Sequence, residues 1–325
     1  MQTKVKCELC PKACEIAPGE SGECRIRVNI NGQLRAVTYG FPVTAHVDPV
    51  EKKPFFHYHP GKPILSFATA GCNLHCKGCQ NWEISQANPE ETDAFYAPPQ
   101  KLVDVARNRG ISMIAATYTE PLVYYEFTYD TAKAGIDAGI KTAIVSAGYA
   151  NPKPLQKLYK VVDAATIDVK AFDDTFYRNV CGGGLAPVLN GLVIARSEGA
   201  WLEVSSLIVP GMNDSDHNLK GLSKWIVKNL GEDTPLHFLR FFPRYRMKNI
   251  PPTPLVTLNR ARKIAMDAGL HYVYIGNVPG SEAENTYCPH CGRVIIKRVG
   301  YRLRENHVRH GKCEYCGTKI AGRFD

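Results

Sequence analysis

From residue 63 to residue 275 the chain alternates short apolar runs, each closed by turn residues, with longer stretches of helical periodicity. Residues 63–68, 111–117, 141–146, 164–169, 201–209, 236–242 and 271–275 predict buried strands. Residues 102–108, 122–138, 154–162, 185–197, 216–229 and 255–268 predict helices, the second begun through Thr119-Glu120-Pro121, where proline suits a first turn. This alternation implies an α/β fold with a parallel sheet and helical crossovers, and six or seven such units suit an open or closed β/α barrel. In barrels the chemistry lies at the C-terminal strand ends. Polar residues collect there: Glu120 in Thr117-Tyr118-Thr119-Glu120, Ser146, Asp168 with Lys170, Asn213-Asp214, Arg240 and Asn277. Ahead of the barrel, residues 25–37 alternate about Asn31-Gly32, which predicts a two-residue hairpin. Residues 49–62 read as a connection whose His57 and His59 belong on polar surface.

The cysteines change this picture most. Eleven of twelve fall into three groups, and Cys181 stands alone as an expected core thiol. Cys72, Cys76 and Cys79 sit on a short loop after the first barrel strand. A closed structural zinc site takes four ligands, and so does an ordinary cubane cluster. Three thiols therefore form an incomplete set: a cluster with one iron left open to a small molecule, a zinc loop with a distant fourth ligand, or three reduced core thiols. Cys7, Cys10, Cys14 and Cys24 make a complete set within a turn-rich segment too small for its own core, so a metal would supply folding energy; zinc and an auxiliary iron–sulfur cluster both fit. Cys288-Pro289-His290-Cys291-Gly292 and Cys313-Glu314-Tyr315-Cys316-Gly317, with 21 residues between the inner cysteines, form a zinc-ribbon pattern. Three regions follow: residues 1–50 with the four-cysteine segment and hairpin, 51–280 with the barrel, and 281–325 with the ribbon.

The spacing of Cys72, Cys76 and Cys79 resembles that of the radical S-adenosylmethionine (SAM) superfamily. With Cys7-Glu8-Leu9-Cys10-Pro11, Gln80-Asn81-Trp82-Glu83, Tyr118-Thr119-Glu120-Pro121 and Tyr274-Ile275-Gly276-Asn277, the chain is similar to pyruvate formate-lyase activating enzymes, and more closely to the radical SAM member of the AmmeMemoRadiSam system. The resemblance covers roughly residues 5–280. It implies a partial (β/α) barrel, a [4Fe–4S] cluster on Cys72, Cys76 and Cys79, and SAM bound at the open iron. It also implies a one-electron reductant such as ferredoxin or flavodoxin, whose electron releases a 5′-deoxyadenosyl radical. By the same resemblance Glu120 faces the SAM amino group, Ser146 approaches the methionyl carboxylate or ribose, and Asp168 and Lys170 lie near ribose and carboxylate. Two features depart from the activases. Gly78 stands where an aromatic usually precedes the third cysteine, and Gln80-Asn81-Trp82 follows it, so Trp82 is either an adenine platform or core.

Charge and composition narrow the class further. No apolar run approaches the length of a membrane span and the start lacks an apolar signal core, so a cytoplasmic protein with reduced thiols and no membrane partner is expected. Of the formal net charge of +9, residues 292–325 hold nine Lys/Arg against three Asp/Glu. A basic tail of this kind is a solvated surface or a contact for nucleic acid or an acidic partner. The leading expectation is a radical SAM enzyme with an unidentified small-molecule, protein or RNA substrate. The alternatives are a glycyl-radical enzyme activase, an RNA-modifying enzyme whose affinity falls with salt, and a metal-containing nucleic-acid-binding or scaffold protein.

Overall fold

The computed structural model describes residues 3–324. Seven parallel strands follow one another in sequence order: β2 Pro63–Ala68, β3 Met113–Ala116, β4 Lys141–Ser146, β5 Ala164–Asp168, β6 Trp201–Ile208, β7 Leu236–Arg240 and β8 Val273–Gly276. An eighth strand, β1 Thr44–Pro49, adds antiparallel to β2. Its pairing places the start of this sheet inside residues 1–50. β1 and β8 are the two ends of the sheet order, so the barrel is open. Helices Pro99–Asn108, Tyr125–Asp137, Pro152–Leu158, Leu185–Ser197, Asp216–Leu230 and Leu255–Asp267 make the crossovers. The helix expected over 122–138 begins only at Tyr125. Glu120 accounts for the delay, because its carboxylate takes the Leu122 N–H and its carbonyl the Val123 N–H in a turn of its own.

Each strand presents its side chains alternately to two faces. One face carries Leu65, Phe67, Ile114, Ile144, Ala165, Ile167, Leu202, Val204 and Phe238, all packed in the main core with residues of the helices. The opposite face carries Ser66, Thr166, Asp168, Glu203, Ser205, His237 and Tyr274 among its apolar residues. A parallel sheet normally buries apolar side chains on both faces, so a polar inner face needs internal partners.

Those partners come from residues 50–62, which run through the barrel interior. Phe55 and His57 are fully buried there, so His57 is not surface as its loop position suggested. Glu203 on β6 is completely buried and accepts from Phe56 N (3.0 Å), His57 N (2.8 Å), Trp201 Nε1 (3.0 Å) and His237 Nε2 (2.7 Å). Burial pushes its carboxyl up, but these donors more than offset that and hold it below the ordinary carboxylate range. On the neighbouring strand β5, Thr166 Oγ1 donates to Lys53 O of the strap (3.0 Å). His57 Nδ1 donates to Ala321 O (2.6 Å) and its Nε2 accepts from Tyr274 Oη (2.5 Å).

The C-terminal module closes against this strap. Strands Thr286–Tyr287, Val294–Val299 and Arg302–Asn306 form an antiparallel sheet whose Ile295 and Ile296 pack with Phe56, Tyr272 and Tyr274. Arg298 is buried over the Phe56 ring (4.2 Å to its centroid), donates to Phe56 O (2.7 Å) and lies 3.7 Å from the buried Glu51 carboxylate. The basic tail is therefore not wholly a solvated face. At the other end, strands Arg27–Ile30 and Gln33–Ala36 form the expected hairpin, with Asn31 (φ 53°) and Gly32 (φ 82°) both left-handed. Among the described residues, no single helix is long and apolar enough to cross a membrane.

Two expectations for stability follow. Glu203→Ala strands two backbone N–H groups, an indole N–H and a histidine in the interior. It should cost about 3–5 kcal/mol in urea unfolding, and a loss under 1 kcal/mol would contradict this role. The second concerns pH. Burial lowers His57 to about 4, so as pH falls the unfolded chain protonates this side chain first. Its contribution is complete above the unfolded value near 6.5 and drains away as pH drops toward 4, about 2 kcal/mol by pH 5. Urea midpoints at about pH 7.5 and about pH 5 should separate less for His57→Gln than for wild type; equal separations would rule the effect out.

Candidate active site

The loop carrying Cys72, Cys76 and Cys79 leaves the end of β2 and is held from three sides. His75 N donates to Cys181 O (2.7 Å), Lys77 N to Val180 O (2.9 Å), Gly71 N to Ile84 O (2.9 Å), and Lys77 O accepts from Arg246 N (3.0 Å). All three thiols line one cavity of about 530 Å³ at the C-terminal strand ends, together with Glu120, Ser146, Asp168 and Lys170. Of the polar strand-end residues singled out from sequence, Glu120, Ser146, Asp168, Lys170 and Asn277 line this cavity, whereas Asn213, Asp214 and Arg240 do not. Burial pushes the Cys72 thiol well up, and Glu120 adds to that. A cationic iron partner would reverse this, so the donor set fits a cluster with three protein ligands. Cys181 is buried as expected, but it also lies against Cys76 and hydrogen-bonds its sulfur, which lowers Cys76.

Glu120 and Ser146 are engaged with each other. Ser146 Oγ donates to Glu120 Oε1 (2.6 Å), Leu122 N to the same oxygen (3.1 Å), and Ala147 N to Oε2 (2.8 Å). Burial raises the Glu120 carboxyl and these hydrogen bonds oppose it. The pair fastens the end of β3 to the end of β4. Asp168 and Lys170 form an ion pair (2.6 Å), with Ser205 Oγ donating to the other Asp168 oxygen. Burial disfavours the Lys170 charge, but Asp168 and then Cys76 outweigh it and raise the ammonium well above its ordinary value. The Lys170 backbone is fixed on both sides, N–H to Tyr177 Oη (3.0 Å) and C=O from Asn213 Nδ2 (2.7 Å). A fixed cation thus sits close to the Cys76 thiol, suited to a carboxylate ligand.

The departures at Gly78 and Trp82 have physical accounts. A Cβ on Gly78 would lie 2.9 Å from Met247 Sδ and 3.4 Å from the Phe241 ring. Met247 and Phe241 both line the cavity, so they occupy the space an aromatic before the third cysteine would take. Trp82 is neither core nor in the cavity wall. It is 38% exposed and stacks on Tyr245 (centroids 4.9 Å, 9°).

Sequence reasoning missed one cluster. Tyr118 has a left-handed backbone (φ 63°), is held by Asn81 Nδ2 to its carbonyl (2.7 Å), and donates its hydroxyl to Asp48. Lys53 Nζ lies 2.8 Å from Asp48 and 3.8 Å from the Tyr118 ring centroid. Burial lowers Lys53 to about 8 against the pull of Asp48. Lys53 and Tyr118 line the cavity, and Glu284, Gly300 and Tyr301 of the C-terminal module reach the same wall. Tyr118 stood in a quoted motif; Asp48 and Lys53 carry no local signal, since Tyr118, against which the pair is set, lies far from them in sequence.

Cys288, Cys291, Cys313 and Cys316 converge away from this cavity. Their sulfurs all lie within 4.8 Å of one another, with Cys288–Cys316 at 3.6 Å and Cys291–Cys313 at 3.9 Å. Tetrahedral thiolates about 2.3 Å from one ion stand about 3.8 Å apart, so this set could hold a metal ion.

The Radical SAM superfamily family model matches residues 67–222. An uncharacterized protein of Methanocaldococcus jannaschii is 45% identical over 98% of this chain and 95% of its own length. The pyruvate formate-lyase-activating enzyme of Clostridium pasteurianum is 28% identical over 49% of this chain and 67% of its own. The 4-hydroxyphenylacetate decarboxylase activating enzyme of Clostridium scatologenes is 30% identical over 36% of this chain and 38% of its own. In fold, the chain is similar to Streptococcus suis SuiB bound to S-adenosylmethionine (13% identity, TM-score 0.53, 73% of this chain and 54% of that one). Matched residues 67–222 contain all three loop cysteines and the strand ends bearing Glu120, Ser146, Asp168 and Lys170; the chain belongs to the radical SAM superfamily and is a radical SAM enzyme.

Proposed function

We propose that this enzyme binds a [4Fe–4S] cluster through Cys72, Cys76 and Cys79 and cleaves SAM in the cavity those thiols share with Asp168 and Lys170. Membership of the superfamily implies the cluster and SAM. The observation that carries the residue assignment is the convergence of three loop thiols and a fixed Asp168–Lys170 pair on one cavity. Held by Cys72, Cys76 and Cys79, such a cluster would supply one-electron reducing chemistry toward SAM. Lys170 neutralises the methionyl carboxylate, and Asp168 accepts from the ribose hydroxyls or the ammonium. Glu120, already accepting three hydrogen bonds, works with Ser146 as a positioning pair and offers only a remaining lone pair to the SAM ammonium. The strap and the C-terminal wall around Lys53, Phe56 and Tyr301 exclude water and receive the substrate. The reductant is a ferredoxin- or flavodoxin-type donor, zinc occupies the C-terminal cysteine set, and the protein works in a reducing, cytoplasmic setting.

A second reading, activation of a glycyl-radical enzyme, draws on the relatives named as activating enzymes. The replacement of the usual aromatic by Gly78, with Met247 and Phe241 in its place, gives a differently shaped wall and supports a different substrate.

Anaerobic reconstitution with iron and sulfide, then dithionite and SAM, tests the first reading. Wild type should form 5′-deoxyadenosine and Cys76→Ala should form none. A reconstituted wild-type cluster that cleaves no SAM under any reductant would defeat it. Lys170→Met should keep its iron but weaken SAM binding by about 2 kcal/mol, roughly 30-fold; unchanged binding by equilibrium dialysis would remove Lys170 from the SAM site.

A further inference from the structure

We propose that the cavity rim formed by Lys77, Trp82 and residues 240–248 is a binding surface for a single strand of nucleic acid. The run Arg240-Phe241-Phe242-Pro243-Arg244-Tyr245-Arg246-Met247-Lys248 holds four cations and no acid. It has two sides. Phe241 and Met247 are buried and line the cavity, while Phe242, Arg244, Arg246 and Lys248 are exposed to solvent. Lys77, between two of the loop cysteines, is exposed as well. Its carbonyl accepts from Arg246 N (3.0 Å), which fastens the run along the cysteine loop. Among the described residues, Lys77, Arg244, Arg246 and Lys248 form no ion pair with a carboxylate; the exposed Glu83, beside Trp82 in sequence, pairs with none of them.

The aromatic groups on this rim are ordered with the cations. Exposed Trp82 lies nearly parallel on Tyr245 (centroids 4.9 Å, 9°), and the Arg246 guanidinium stands 5.1 Å from the same tyrosine ring. The Arg240 guanidinium stands 5.1 Å from the exposed Phe242 ring. Among the described residues, no second ring and no cation is stacked on Trp82, so the indole ends the stack. A free indole face takes one more planar ring, and every nucleobase offers one. The unpaired cations around it are then placed to neutralise the phosphates on either side. An acidic protein would use the cations and leave the indole face idle. A duplex would bring phosphates but keep its bases stacked inside. A single strand is the occupant that uses both halves of the surface. Because the same run walls the cavity, a bound strand lies across the approach to Cys72, Cys76 and Cys79. That a nucleotide of the strand is the substrate rests on the function proposed above; the binding surface does not.

The test is fluorescence anisotropy of a labelled oligouridylate of about 20 nucleotides with the full-length protein, reconstituted anaerobically but without SAM or reductant. No readout involves SAM turnover, so failure here leaves the SAM-cleavage reading standing, and the converse holds. Wild type should bind with a log–log salt slope of about −2 to −3, as three or four cations release counterions from a single strand. Trp82→Ala should weaken binding about 5- to 100-fold, and Trp82→Phe should recover most of it. Arg244→Gln with Lys248→Gln should flatten the salt slope by about one or more. Should Trp82→Ala misfold, the wild-type slope and its change in the double variant still decide. An absence of binding at about 50 mM salt, or an unchanged slope in the double variant, would overturn the proposal. So would a duplex or polyglutamate bound as tightly as the single strand with no response to Trp82→Phe or Trp82→Ala; the rim would then be a general anion or acidic-protein surface.

Discussion

A carboxylate with no access to water holds this molecule in its present form. Glu203 gathers four donors from three places: the residues 50–62 strap, its own strand and β7. Each donor would be costly to bury alone, and the single acidic group satisfies them together. The strap can therefore cross a barrel interior that most parallel barrels fill with aliphatic side chains. Once in place it provides the Phe56 ring and carbonyl on which Arg298 is seated, and so the attachment of the C-terminal module.

The same arrangement shapes the chemistry. The inner faces of β5 and β6 are polar because the strap supplies partners low in the barrel and Asp168, Ser205 and Lys170 supply one another near its mouth. Burial there raises the energy of any uncompensated charge. Charged groups consequently occur as pairs, Asp168 with Lys170 and Asp48 with Lys53. One pair faces the cysteine loop, while the other stands under Tyr118 at the wall shared by the strap and the C-terminal module. The cavity thus has two electrostatically distinct ends.

The barrel was legible because its signals are local. A parallel strand such as 141–146 is an apolar run with a polar terminus, and the structure places Lys141–Ser146 on those residues. The convergence of Cys288, Cys291, Cys313 and Cys316 was legible because each of its two CxxC knuckles is a local signal. What escaped is what depends on a distant partner. His57 resembles a surface loop residue until Ala321 and Tyr274 are in place, and Glu203 accepts from backbone 146 and 147 residues away. Trp82 found Tyr245, a residue from a loop with no periodic pattern. The edge strand Thr44–Pro49 escaped because it pairs backward onto β2, outside the strand–helix rhythm.

The strap also sets a timetable. His59 N donates to Arg323 O and Arg323 N to His57 O, both at 2.7 Å, so residues 57–59 take residues 321–323 as an extra strand-like partner. During synthesis the strap leaves the ribosome long before these partners do, and its histidine and carbonyls must wait in water or with a chaperone while the barrel strands emerge one by one. The floor of the barrel is thus made before the strands that surround it and closes only when residues 321–323 arrive.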